Sequence, residues 1–337
     1  PILTAERAGA WSRPASETAE VAPTPSRAAR ISSRDIPPEV EEYSRSVSGI
    51  EIEAVRIGPA VGRSHVLAVT GGRFVFTASK VGFPMLSHTT IPDDTVIVAI
   101  ITRAPPGSRW CEIPLEPGQA IVYSPRAEHV ARNMPGLEFM FACFDIESLQ
   151  AHAAQLGTSI EVPSPGEVHL LADTSSTTLI APTFTNFADV ADAGQAVRTQ
   201  HGDDVLRAAV HALSDPQPAR SVGADSRIDS RHVVITCIEF AESIGRIPSV
   251  SELCAIAHVS ERRLRSAFTN EFDMPPTRFF RAWALCEAHR RLAHRDAADR
   301  SVTRVAADLG FDHLGRFSGH YRDIFDECPS DTLLHVN

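Results

Sequence analysis

The 337-residue sequence has a single lysine, Lys80, and no Gly-Lys pair, which removes a Walker-type phosphate loop; no G-x-S-x-G nucleophile elbow occurs either. Its cysteines, Cys111, Cys143, Cys237, Cys254, Cys286 and Cys328, form no C-x-x-C pair and stand mostly in apolar stretches. They read as buried reduced thiols of a cytoplasmic protein. No apolar run approaches the ~20 residues that span a bilayer, and no apolar leader opens the chain, so no membrane partner is expected. Positive charge is also short: the net charge is -10, and residues 226–337 carry 15 arginines against 16 acidic residues. Any affinity for nucleic acid must therefore come from clustered arginine rather than from net charge.

What is present is a doubled unit in the last third. From Ser249 to Phe272, and again from Ser301 to Phe325, a short apolar helix is followed by a turn and a second helix. Ser249 with Glu252 three residues on is a capping box, and Leu253, Ile256 and Ala257 then share one face. Ser260 caps the next helix, where Leu264, Phe268 and Phe272 recur every four residues and so share a buried side. That spacing leaves Arg262, Arg265, Ser266 and Thr269 outside. In the second unit Val302, Val305, Ala306 and Leu309 make the bracing helix, and Gly310 permits a sharp turn. Phe317, Tyr321, Ile324 and Phe325 then face inward, with Arg316, Gly319, His320 and Arg322 nearer solvent. Between the units, Pro275 and Pro276 end one helix, and Thr277 to His294 forms a connector of about 27 Å at ~1.5 Å per residue. Each unit has the layout of a helix-turn-helix, whose second helix fits a DNA major groove. Leu264, Phe268 and Phe272 are read as core only, and for Arg262 and Arg265 the bland alternative is a solvated helix face.

The spacing of the two units, the Gly310-Phe311 pair and the run from Gly315 to Pro329 resemble the DNA-binding domain of AraC/XylS-type transcription regulators. The resemblance implies two reading helices for successive major-groove segments of double-stranded DNA, with activation through RNA polymerase. It places the base-facing positions of the first reading helix on Arg262, Arg265 and Ser266. The second helix departs from the family pattern: Gly319 stands where many members carry Arg, and Gly315 offers no side chain, so Arg316, His320 and Arg322 are assigned to phosphate contacts. Asp326 replaces the Gly common before the terminal Pro, which suggests only a local change of turn.

Upstream, residues 1–47 are rich in Ala, Ser, Pro, Arg and Glu without a period and read as a flexible segment. Residues 48–213 form the next domain. Strand signals run from Gly49 to Asp145, including the alternating Arg73 to Thr77, the apolar run Thr95 to Ile101, Gln119 to Tyr123, and Leu137 to Phe144. Short strands with Pro/Gly turns imply a sandwich or small barrel. Leu115 to His129 resembles the cupin-like sensor domain that precedes the DNA-binding unit in many such regulators. Helices are expected at Ser148–Leu156, Thr177–Ala191 and Asp203–Leu213, a region that in the resembling family often pairs subunits, so a homodimer is expected. Residues 214–225 read as a linker, and 226–337 as the DNA-binding domain, opening with a helix from Ile228 to Ile244.

The fold expected is thus multidomain: an N-terminal all-β cupin-like barrel with a helical appendage, and a C-terminal all-α tandem helix-turn-helix domain with its units at 250–272 and 301–325. Phe74, Phe76, Trp110, Tyr123 and Phe141 either line a cavity for a small-molecule effector or are plain core. A metal-dependent cupin enzyme is the rival from another class. His129 with Asn133 approximates the later cupin metal motif, but the H-x-H of the earlier one is missing, and His65 and His88 stand alone. A third reading is a regulator controlled by a protein partner. The expectation is a sequence-specific regulator with no catalytic residues, no metal and no cofactor.

Overall fold

In the computed structural model the described residues are 29–110, 113–172, 175–191, 193–214, 216, 218–222, 228–293 and 301–334; Cys111 lies outside them. The N-terminal part rests on two antiparallel sheets. Across the first lie, in spatial order, β1 (Arg30–Ile36), β3 (Ser64–Thr70), β4 (Val75–Lys80), β11 (Glu138–Asp145), β6 (Thr95–Arg103), β9 (Ala120–Tyr123), β12 (Val168–Leu171) and β13 (Pro218–Val222). The second has the order β2 (Glu51–Arg56), β5 (Met85–Thr90), β10 (Glu128–Asn133), β7 (Arg109–Trp110) and β8 (Ile113–Pro114).

The centre of the eight-stranded sheet is buried on both faces, which explains the unbroken apolar run in β6. Ile97, Ala99 and Ile101 point into the core between the sheets, while Val96, Val98 and Ile100 point into a second core on the far side. Helices α2 (Ile146–Gln155), α3 (Ser175–Thr178), α4 (Ile180–Asp189) and α5 (Gln195–Ser214) follow the barrel strands. Leu149, Phe184, Phe187, Leu206 and Ala209 from α2, α4 and α5 complete that second core. Phe74 and Phe76 belong here, ring to ring with Phe187 at 5.4 and 4.9 Å. They therefore line no inter-sheet cavity, in contrast to Trp110, Tyr123 and Phe141. Helix α5 also begins earlier than the acidic pair at Asp203 and Asp204 suggested.

Two segments expected to be loose are ordered where they are described; residues 1–28, 215, 217 and 223–225 lie outside the described residues. Residues 30–36 are the edge strand β1, paired with β3 from Arg30↔Thr70 to Ile36↔Ser64. They lead into α1 (Val40–Ser46), whose Tyr43 is buried with its hydroxyl 2.9 Å from Ser79 Oγ. Burying a Tyr with its hydroxyl satisfied contributes about 2 kcal/mol, so the segment packs despite its composition. The expected linker contains β13, which pairs with β12, as in Val168↔Val222. Backbone pairing to a partner about fifty residues upstream decides its conformation.

The C-terminal part is helical: α6 (Ile228–Ile244), α7 (Val250–Ile256), α8 (Glu261–Phe272), α9 (Pro276–Ala293), α10 (Val302–Asp308), α11 (Leu314–Phe325) and α12 (Pro329–Leu334). The capping box is made in full, with Glu252 N donating to Ser249 Oγ at 3.2 Å and Ser249 N donating to Glu252 Oε2 at 2.8 Å. Arg246 locks the same carboxylate at 2.6 Å, and this bond with the Ser249 contacts holds it down near 2. Ser260 and Ser301 cap α8 and α10 through Arg263 N and Arg304 N at 3.3 and 3.1 Å; each such cap contributes ~1 kcal/mol. Between α8 and α9 the core is an aromatic cluster in which Phe272 stacks on Phe279 at 4.9 Å and Phe268 meets Phe279 at 5.4 Å. At the other end of α9, His289 Nδ1 lies 2.7 Å from Tyr321 Oη, which is 2.7 Å from Thr332 Oγ1, and the His289 ring stacks on Phe325 at 4.3 Å.

The core of the helical part is not self-contained. Val55, Leu86 and Val130, on the outer face of the five-stranded sheet, are fully buried within it. The molecule is therefore layered as helices, large sheet, small sheet, and the C-terminal helices.

Candidate nucleic-acid interface

Both second helices, α8 and α11, are 12 residues long and end in the same left-handed C-cap, at Asp273 and Asp326. Their inward-facing residues share one register: Leu264, Phe268 and Phe272 correspond to Phe317, Tyr321 and the partly buried Phe325. The structure brings Arg262, Arg265, Ser266 and Thr269 together on the exposed face of α8, at the i, i+3, i+4, i+7 spacing of one helical side. Arg262 makes no ion pair or hydrogen bond among the described residues. Arg265 donates from Nε and Nη2 to Glu261 Oε1 at 3.1 and 2.6 Å, so an acid one turn earlier holds it along the helix.

The register carries this face onto Gly315, Ser318, Gly319 and Arg322 of α11. Space is free around both glycines: a Cβ built on Gly315 or Gly319 meets nothing within 4 Å. Arg316 is exposed at the position of Arg263, on the flank of the face. His320 is only half-exposed, since it stands where α8 has buried Ala267. Arg322 lies on the face at the position of Thr269, with Nη2 3.0 Å from Cys328 Sγ, a bond that pushes its already high pKa further up. Sequence reasoning missed Ser318, which takes the place of Arg265. The signal was available in matching the two apolar triplets residue by residue.

The two turns differ by the residue in the left-handed conformation. In the first unit it is His258 (φ 53), and in the second it is Gly310 (φ 89), each in the same position after its bracing helix. Gly310 N donates to Ala307 O at 3.0 Å and Phe311 N to Ala306 O at 2.9 Å, closing α10.

Between the two sheets a cavity of about 40 Å3 remains, lined by Ser87, Thr89, Trp110, Tyr123, His129 and Asn133 among others. It has room for a few waters, well short of the ~150 Å3 that accommodates a benzene ring. Trp110 Nε1 donates to Asn133 Oδ1 at 3.3 Å, and Asn133 Nδ2 donates to Ser87 Oγ at 3.0 Å. His129 is fully enclosed, its ring 4.8 Å from that of Tyr123 and 5.6 Å from that of Trp110. Burial, with the nearby charges of His88 and Arg231, pulls its pKa down to about 3, so it is neutral. The histidines named as metal candidates do not converge. His129 faces the cavity, whereas His88 is on the opposite face of the same sheet, between Glu53 and Glu128 at 3.8 and 3.6 Å. His65 pairs with Asp35 at the surface. Among the described residues no three His, Cys, Asp or Glu side chains are grouped as a metal site, and no helix is long and apolar enough to cross a membrane.

A family model described as a helix-turn-helix domain matches residues 253–334. Over 95 residues, 28% of this chain and 60% of the relative, the sequence is 39% identical to XylDLEGF operon transcriptional activator 2 of Pseudomonas putida. Over 92 residues it is 39% identical to XylDLEGF operon transcriptional activator 1 of the same organism, covering 27% of this chain and 28% of that relative. It is 30% identical over 105 residues to a probable thc operon regulatory protein of Rhodococcus erythropolis, 31% of this chain and 32% of the relative. The chain thus spans between 28% and 60% of the lengths of these relatives. Among solved structures, a probable AraC family transcriptional regulator from Rhodopseudomonas palustris is 31% identical, with 32% of this chain and 98% of that chain covered and a TM-score of 0.29.

Proposed function

The C-terminal unit of this chain is a helix-turn-helix domain of the AraC/XylS type, and from that premise we propose that the whole protein is a sequence-specific, cytoplasmic transcription regulator that activates by recruiting RNA polymerase. The observation that carries this reading is the doubled reader: two 12-residue helices in one register, each with its apolar side buried and its other side open. In the first helix Arg262, Arg265, Ser266 and Thr269 read base edges. Arg265 is the prime candidate for a bidentate guanine contact. In the second, Arg316, His320 and Arg322 hold phosphates, and Ser318 is the one uncharged side chain placed to touch a base.

The division into an N-terminal cupin-like sensing and dimerising domain, up to residue 213, and a reader from residue 226 belongs to the same proposal. Trp110, Tyr123 and His129 give the inter-sheet cavity the character of a site for an uncharged, ring-containing effector, which must widen it to enter. Dimerisation falls to the α4 and α5 side, where Leu179 and Val197 are exposed although the rest of the apolar face is spent on the barrel. The reading assigns no catalysis to any residue.

The test is selection from a randomised duplex pool with the full-length protein at fixed, near-physiological salt. Enrichment of two short elements about one helical turn apart supports two reading units. A single element means that α8 reads while α11 anchors. No enrichment, with or without candidate effectors, refutes the reading.

A further inference from the structure

The two reading helices end on acids where glycine is the usual residue. Asp273 and Asp326 are left-handed C-caps, with φ of 54 and 61, and their N–H groups close the helices on Thr269 O and Arg322 O. Glycine suits such a position because it has no Cβ to strain. Both aspartates instead send a carboxylate to the same five-stranded sheet. Asp273 Oδ2 accepts from Arg132 Nη1 of β10 at 2.7 Å, and Asp326 Oδ2 lies 3.9 Å from Arg56 Nη2 at the end of β2. Arg56 is 3% exposed. The Pro38 and Gly58 carbonyls hold it at 2.9 and 3.0 Å, and it lies over the rings of Phe83 in the barrel and Phe325 in α11, at 5.7 and 5.3 Å.

The opposite face of this sheet lines the cavity. Along β5 and β10, Leu86, Val130 and Arg132 face the reader, while Met85, Ser87, Ala131 and Asn133 face the cavity. Cross-strand register sets Leu86 beside Val55 on one side and Arg132 on the other. Because side chains alternate along a strand, one pleated layer separates the cavity from the α8 end at Arg132, whereas Arg56, two residues past Ala54 on the core side of β2, reaches the α11 end from the terminus of its strand.

We propose that the five-stranded sheet is a coupling plate: Arg132 and Arg56 are positioning residues that fix the two reading helices relative to each other through Asp273 and Asp326, and a change in the cavity resets that spacing. This rests on the reading of the chain as a two-element DNA reader.

The test uses the full chain with Arg132→Gln, Asp273→Asn, their combination, and Asp326→Asn; asparagine keeps the tolerance for the left-handed conformation. Arg132→Gln removes a positive charge and Asp273→Asn a negative one, so a plain electrostatic effect moves DNA affinity in opposite directions, whereas loss of the clamp moves it in the same direction. On a duplex with both elements at the selected spacing, each single variant should bind roughly five- to tenfold more weakly, by ~1 to 1.4 kcal/mol. The double variant should be no worse than the weaker single. Preference for the selected spacing over one altered by a base pair should shrink in all four. Opposite shifts, additive losses or an intact spacing preference overturn the proposal.

Hydrogen exchange of the full chain, without DNA, separates failure of the plate from failure of DNA reading. Arg132→Gln should speed exchange at residues 268–273 at least about fivefold, and Ala131→Leu, which pushes volume into the cavity, should do the same from the other face. If Ala131→Leu does not fold, Ser87→Val replaces it. Unchanged exchange at 268–273 in Arg132→Gln and the cavity variant overturns the proposal even where no DNA is bound.

Discussion

Arg265 and Glu261 form one ion pair whose two ends make opposite predictions for DNA binding. The pair is exposed, at 66% and 55% for the two side chains, so it contributes only ~0.3–0.5 kcal/mol to the free protein. The Arg265 guanidinium must leave it to grip a guanine, and a bidentate contact gains ~1–3 kcal/mol of discrimination. Arg265→Ala should therefore weaken the selected site by a net ~0.5–2.5 kcal/mol, roughly 2- to 70-fold in Kd. Glu261→Gln frees the arginine in advance and should strengthen the same site by ~0.5 kcal/mol, about twofold. Fluorescence anisotropy at one salt concentration, on the selected duplex, on duplexes altered one base at a time and on random sequence, gives the ratio that matters. Arg265→Ala should lose preference at one base position and keep it elsewhere. Equal losses on selected and random DNA would mean that Arg265 touches only phosphate, and the base-reading assignment would fall.

The open space around Gly319 predicts that Gly319→Arg is tolerated, steepens the salt dependence of log K by ~0.9, and raises helix stability by ~0.5–1 kcal/mol; a flat salt slope would show that this side of α11 does not face DNA. Arg322→Ala should weaken selected and random DNA alike and flatten that slope by about the same amount, and an unchanged slope excludes the phosphate role. His129, neutral with its pKa near 3, predicts acid sensitivity. The unfolded imidazole takes up a proton below ~6.5 and the folded one does not until about 3, so stability falls as pH drops through that window, by ~2 kcal/mol at pH 5. His88 works the other way. Burial alone lowers its pKa, but bonds to Glu128 and Glu53 outweigh this and raise it, so its stabilisation is greatest at low pH and fades as pH rises through the raised value. Urea titrations of His129→Phe and the parent from pH 7.5 to 5 should diverge by that ~2 kcal/mol, and parallel curves would contradict the neutral assignment.

Local chemistry was the legible part of this sequence. Ser249 with Glu252, and Ser260, fix two helix starts through groups within three residues of each other, and four-residue apolar spacing fixes the inward sides of α8 and α11. What local reasoning missed depends on partners far along the chain. Residues 218–222 are Pro- and Ala-containing and become strand only through β12, and Arg30 to Ile36 become strand only through β3. Phe74 and Phe76 carry the same two sequence readings as Trp110, cavity lining or plain core, because a sheet whose centre is buried on both faces gives no polar alternation to tell its sides apart. Asp326 looked like a change of turn, yet its carboxylate lies near an arginine 270 positions upstream. Within the candidate site, the open face of α8 follows from the spacing alone, while Ser318 and the half-buried setting of His320 follow only once the apolar triplets of α8 and α11 are matched residue by residue.

The sharing of Val55, Leu86 and Val130 with the reader's core has a practical consequence for anyone who cuts the chain. A reader expressed from Ile228 onward loses three aliphatic side chains that plug its flank and presents a sticky wound to its neighbours; the severed barrel carries the matching one. Poor solubility of either half would then report the cut itself rather than any weakness of the fold, and polar replacements along the exposed seam are the remedy to try before the fragment is judged unable to stand alone.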